Sequence, residues 1–244
     1  MNILITGSDG FIAQELYDYF KRDNEHHIIM MNKYKLPLLD TNKVEKWFNA
    51  NSNKINIVIH TAAIGGSRLI NDNADVFFDN IEMFKNIYNN CIKYNLLLIT
   101  FTSGAEDFEN YLGIAKKAIS SICNKVSKNI INLKIYNCFG NHGLKTRFIE
   151  GNIINYIYNK NIIIHKNRFF DFFYSEDVYK IICYFINNYK KGNINTQSIN
   201  CVYKEKTLLS DVAEIINSVD NKSVNIVTIN YGLDIEYCTE DYWE

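Results

Sequence analysis

The stretch Asn2-Ile3-Leu4-Ile5-Thr6-Gly7-Ser8-Asp9-Gly10-Phe11-Ile12-Ala13 decides how the rest of the chain is read. Asn2–Thr6 is a short apolar run, the pattern of a strand buried on both faces. Helical spacing starts at Phe11 and continues through Leu16 and Phe20. Gly7-Ser8-Asp9-Gly10 therefore joins a strand to a helix. Glycines let the backbone turn tightly and approach a ligand closely. The start of a helix offers free N–H groups and the positive end of its dipole. Ala13 supplies a third small position, where helix and strand must pack closely. A Gly-x-x-Gly-x-x-Ala turn in this context predicts a site for the pyrophosphate of a dinucleotide. Gly7, Ser8, Asp9, Gly10, Phe11 and Ile12 are its expected contacts.

Outward from this turn the pattern repeats. Strand-like runs at 27–31, 55–61, 96–102 and 130–136 alternate with helical periods at 41–50, 73–94 and 112–126. Repeated βα units of this length predict an α/β fold, a Rossmann-type doubly wound parallel sheet with right-handed crossovers. After Gly140 the pattern loosens into short strands and helices, the mark of a small C-terminal substrate-binding lobe. The expected division is a dinucleotide-binding domain at 1–140, joined by 175–190, and a smaller lobe at 141–244.

Composition limits the partners. The chain has 244 residues, 47% hydrophobic and 22% charged, with a formal net charge of −1. No basic surplus argues for nucleic acid, and no apolar run is long enough to cross a membrane. The six cysteines, Cys91, Cys123, Cys138, Cys183, Cys201 and Cys238, form no CxxC pair. They read as reduced cysteines of a cytoplasmic protein. The five histidines show no metal-ligand spacing with them, so no metal is expected. No secretory leader is evident at the first strand.

An acid at the end of the second strand would bind the adenosine ribose of NAD. That region reads Met31-Asn32-Lys33-Tyr34-Lys35 instead. Asn32 and Lys33 suit a 2′-phosphate, which favours NADP over NAD.

Several further segments carry a family likeness. They are Leu36-Pro37-Leu38-Leu39-Asp40, Thr61-Ala62-Ala63-Ile64-Gly65-Gly66, Asp79-Asn80, Leu112-Gly113-Ile114-Ala115-Lys116, Asn137-Cys138-Phe139-Gly140 and the run from Phe170 to Val178. In order and spacing the chain resembles the extended short-chain dehydrogenase/reductases acting on nucleotide sugars. Within them it most resembles GDP-L-fucose synthase-like 4-keto-sugar reductases. The resemblance runs from Met1 to about Ile186. It implies that Leu39 and Asp40 meet the adenine, that Thr61, Ala62, Ala63 and Asn80 line the dinucleotide, and that Lys116 binds the nicotinamide ribose. It also implies Ser103 or Thr102 as the hydroxyl on the substrate carbonyl, with Asn137 toward the nucleotide sugar. Arg147, at the start of its own helix, suits a diphosphate of the substrate or sits at the surface.

The resemblance breaks at one position. The family's proton-donating tyrosine stands four residues before its lysine, and Leu112 stands there in this chain. Tyr111 is five residues before Lys116, rotated by roughly 140° on a regular helix. Tyr111 serves as the acid only if the helix bulges or begins late. Otherwise another acid acts, or the site binds without turnover. The implied function is NADPH-dependent reduction of a 4-keto-6-deoxy nucleotide-linked sugar by a homodimer. Alternatives are an epimerase with tightly bound NAD and a non-catalytic dinucleotide binder.

Overall fold

The computed structural model describes residues 1–66, 72–125, 129–190, 192, 195, 197–229 and 239. Cys238 and the expected helix end at Val126 lie outside the described residues. In chain order the elements of the first half are β1 (Asn2–Thr6), α1 (Phe11–Asp23), β2 (His27–Met31), α2 (Thr41–Asn51), β3 (Ile57–His60), α3 (Ala74–Lys93), β4 (Leu97–Ser103), α4 (Tyr111–Cys123) and β5 (Ile130–Ile135). There follow β6 (Asn137–Phe139), α5 (Phe148–Ile157), β7 (Ile162–Ile164), β8 (Phe169–Phe170), β9 (Phe172–Tyr174), α6 (Ser175–Lys190), β10 (Gln197–Cys201), β11 (Thr207–Leu208), α7 (Leu209–Asn217) and β12 (Ile226–Thr228).

One parallel sheet of six strands runs in the order β10-β5-β4-β3-β1-β2. Its strands are apolar on both faces because helices cover both. Side chains alternate across a strand. Ile3, Ile5, Ile57, Ile59, Leu97, Ile99, Ile131 and Leu133 thus meet Leu16 and Phe20 of α1 and Ile182 and Phe185 of α6. Leu4, Val58, Leu98 and Ile130 meet Phe48 of α2, Phe84 and Ile87 of α3, and Ile119 of α4. The doubly wound parallel fold expected from the sequence is the one observed.

β10 lies within the stretch expected to form the lobe, yet it pairs in parallel with β5 as an edge of the main sheet. A second apolar cluster joins α5, β7 and α7 through Tyr156, Ile162, Ile164, Leu209 and Ile216. Beside it, β6 pairs with β9 and β7 with β12. The buried Glu15 of α1 holds this region over the sheet edge. Its carboxylate accepts from Ser175 Oγ at 2.6 Å and from the His142 N–H at 2.5 Å. The His142 ring itself contacts Asp18 Oδ2 at 2.8 Å. Among the described residues, no helix is long and apolar enough to cross a membrane.

Candidate active site

The strand order reverses between β1 and β3, and the loops leaving these strands diverge there. In open α/β sheets such a crevice is where ligands bind. Gly7 sits there at φ +70°, a left-handed conformation that favours glycine. A Cβ on Gly7 would stand 2.6 Å from both Ala62 Cα and Ala62 N. The two loops therefore touch through their backbones, as close approach to a ligand requires. The Gly10 N–H donates to Gly7 O at 2.9 Å and the Ser8 N–H to Met31 O at 3.2 Å. Helix α1 then begins without a side-chain cap, while Asp9 and Gly10 are exposed. Uncapped N–H groups at an open helix start suit the pyrophosphate of a dinucleotide.

The other residues expected around the dinucleotide are organised by hydrogen bonds. Thr61 Oγ1 donates to Thr6 O at 2.7 Å. Buried Asn80 donates to Ile64 O at 2.8 Å and accepts from the Ile64 N–H at 3.1 Å, which holds the Ala62-Ala63 strip in place. Asn32 accepts from the Tyr34 and Lys35 N–H groups at 3.2 Å and donates to Asp9 Oδ1 at 3.3 Å. This turn ties the end of β2 to the glycine turn. Lys33 is exposed, its ammonium 5.3 Å from the Tyr34 ring centroid. Leu39 is exposed, and Asp40 caps α2, accepting from the Lys43 N–H at 3.0 Å. At the strand ends, Thr6 Oγ1 and His60 Nδ1 are 2.8 Å apart. Burial, with the Lys116 charge, pushes the His60 imidazole down to about 3.

β4 delivers Thr102 and Ser103. The Thr102 hydroxyl is buried and makes no hydrogen bond. Ser103 Oγ accepts from the Ala105 N–H at 3.1 Å. Lys116 Nζ donates to Phe101 O at 2.9 Å. Burial lowers the Lys116 ammonium to about 8, opposed by the Glu106 carboxylate. Glu106 itself is buried and pairs with Lys134 at 3.0 Å.

Helix α4 begins at Tyr111, one residue earlier than the sequence pattern suggests. The Asn110 carbonyl oxygen of the side chain accepts from the Gly113 N–H at 2.8 Å and sets that start. Tyr111 is therefore the first residue of a regular helix, 44% exposed. Leu112, on the same helix, lies against the Gly66 loop, its Cδ2 2.7 Å from where a Gly66 Cβ would stand.

A cleft of about 190 Å³ opens between the glycine turn and α5. Phe11 and Ile12 of the turn line it together with Ser103, Tyr136, Arg147 and Glu150. Arg147 occupies the capping position of α5 without capping it by its side chain. Burial raises the Glu150 carboxyl above its usual range. Cys138 also faces this cleft, and burial pushes its thiol up. Asn137 lies next in the chain, and its side-chain N–H group is buried without a hydrogen-bond partner. The structure thus brings Phe11, Ile12, Ser103 and Arg147 into one cleft. Tyr136 and Glu150 were missed in the sequence; the signal for Tyr136 was its place one residue beyond the strand that pairs with the serine end of β4.

No curated protein matches the chain. Solved structures match it closely in fold. A dTDP-4-dehydrorhamnose reductase from Clostridium acetobutylicum superposes with a TM-score of 0.78 at 16% identity, covering 93% of this chain and 83% of that one. A GDP-L-fucose synthetase from Naegleria fowleri bound to NADP gives 0.78 at 17% identity, covering 98% and 84%. A UDP-N-acetylglucosamine 4-epimerase from Bacillus cereus gives 0.79 at 19% identity, covering 98% and 90%. At such identities the likeness is one of fold. The model of the NAD dependent epimerase/dehydratase family matches residues 3–201, more than half of the sequence, so the chain belongs to that family.

Proposed function

We propose that this chain is an NADPH-dependent reductase of a 4-keto-6-deoxy nucleotide-linked sugar. The observation that carries the reading is the shared cleft. The start of α1, which suits a pyrophosphate, and Ser103, which suits a carbonyl oxygen, line the same 190 Å³ space. The bound dinucleotide would supply a hydride to the carbonyl carbon. Gly7, Gly10 and the Ala62-Ala63 strip would hold it, with Asn80 bracing the strip. Ser103 would hydrogen-bond the carbonyl oxygen, and Lys116 would sit at the nicotinamide ribose. Asn137 and Arg147 lie toward the region that would take the nucleotide sugar. Lys33, exposed at the end of β2, supports NADP as the partner dinucleotide. The matched structures include both NADP-bound and NAD-bound proteins.

Leu112 supports a second reading, a dinucleotide binder that does not turn over. Oxidation of NADPH in the presence of GDP- and dTDP-4-keto-6-deoxy sugars separates the two. Substrate-dependent loss of the reduced-nicotinamide absorbance is the expected result. Tight dinucleotide binding without turnover of any such sugar would favour the second reading. The epimerase alternative predicts NAD that stays bound through purification.

The same reading extends to assembly, layout and location. Residues 1–140 with 175–190, completed by β10 at the sheet edge, would form the dinucleotide part, and the rest of 141–244 the substrate part. Helices α3 and α4 expose Phe78, Ile114 and Ile122, which suit pairing with a second copy. The five described cysteines are free, in keeping with the reducing cytoplasm.

A further inference from the structure

We propose that Tyr136 is the proton donor of this site, in place of a tyrosine on α4. The inference rests on the reductase reading. Neither α4 residue lines the cleft: Leu112 lies against the Gly66 loop, and Tyr111, at the helix start set by the Asn110 cap, is 44% exposed. The neighbouring strand leads to a phenol. The β4–β5 register pairs Thr102 with Lys134 and Ser103 with Ile135. One step further, Gly104 and Tyr136 meet. A Cβ on Gly104 would stand 2.5 Å from Tyr136 Cδ1 and Cε1, so the ring lies over the space that glycine leaves open. This sets the ring at the end of β4, in the wall of the cleft that Ser103, Phe11 and Ile12 also line.

Asn132 contacts Ser120 of α4 at 3.2 Å, so α4 covers that face of β5. Lys134, on the same face of the strand, pairs with Glu106 at 3.0 Å, and the Glu106 charge also acts on Lys116. Tyr136 follows directly after β5 ends. The positive charge of a bound oxidised nicotinamide would favour the phenol's anion. A bound reduced dinucleotide would supply the hydride to the carbonyl carbon and be oxidised in doing so. As the π pair of the C=O bond moves to oxygen, Tyr136 would give its phenolic proton there, and its phenolate would regain one from water.

The test compares the native chain with Tyr136→Phe and Tyr111→Phe. Tyrosinate absorbance in the near ultraviolet is titrated with and without NADP⁺, and turnover is measured with the keto sugar that the native chain reduces. With NADP⁺ bound, the native chain and Tyr111→Phe should show one tyrosine that ionises below the ordinary tyrosine range. Tyr136→Phe should lack it. Tyr136→Phe should also lose about 10²–10⁴-fold in kcat, with NADPH affinity and melting temperature unchanged. A low-ionising tyrosine that persists in Tyr136→Phe overturns the inference, as does turnover within threefold of native. A native chain that reduces no keto sugar overturns the reductase reading instead, and the titration still decides whether Tyr136 meets the nicotinamide.

Discussion

Gly7 and Ala62, 55 residues apart in the chain, meet so closely that a Cβ on Gly7 would stand 2.6 Å from the Ala62 backbone. This contact joins the two loops at the sheet's switch point. Gly7→Ala adds that Cβ at a φ of +70°, where L-residues are strained. The variant should lose about 1–3 kcal/mol of stability, read by urea unfolding. NADPH affinity should fall more steeply than stability, because the loops must part. Native affinity in Gly7→Ala, measured by fluorescence titration, would remove the turn from the binding site.

Lys33 tests the choice of dinucleotide. Its ammonium is exposed beside Tyr34 and forms no ion pair with a carboxylate among the described residues. Lys33→Ala should weaken NADPH binding about tenfold, the scale of one charge-assisted hydrogen bond, and leave NADH binding unchanged. Equal effects on both dinucleotides would place Lys33 away from the 2′-phosphate.

His60 couples stability to pH. Its folded pKa is depressed to about 3 from the usual 6.5, chiefly by burial. The unfolded chain therefore binds a proton between these values that the folded chain excludes. Stability falls as pH drops from 6.5 toward 3, with a slope from this group of up to about 1.4 kcal/mol per pH unit. His60→Gln should flatten the urea midpoint against pH between those limits. An unchanged slope would show that other groups carry the dependence.

Lys116 sets function against stability. Its ammonium is lowered to about 8 by burial, so at pH 7 the folded chain carries a charge it would be more stable without. Lys116→Met should match or exceed native stability by about 1 kcal/mol in thermal or urea unfolding. Under the proposed reading turnover should drop at least a hundredfold, since no cation would remain to meet the nicotinamide ribose. Lower stability in Lys116→Met would mean that the hydrogen bond to Phe101 O outweighs the burial of charge.

The parallel sheet and the glycine turn were legible because each depends on neighbours in the chain. Ile3–Ile5 is apolar throughout, and Asn2 to Phe11 carries strand, turn and helix start within ten residues. Asn80 was legible only through family likeness, and its two bonds to Ile64 supply the physical reason for it. The expected role of Tyr111 hung on where α4 begins. The Asn110 cap sets that point, and the Asn-Tyr-Leu-Gly sequence alone allows more than one start. The edge strand β10 shows the same limit: its pairing with β5 is a contact across some sixty residues.

The sequence by itself determined the alternation of strands and helices in the first part of the chain, both faces of the sheet, and the glycine turn that joins β1 to α1, because hydrophobic period and glycine freedom act locally. Only the tertiary structure decided that Gly7 touches Ala62, that Leu112 rests on the Gly66 loop, and that Tyr136 lies beside Gly104 in the cleft with Ser103. Those are consequences of strand register and helix capping, which set distances between residues that the chain keeps far apart.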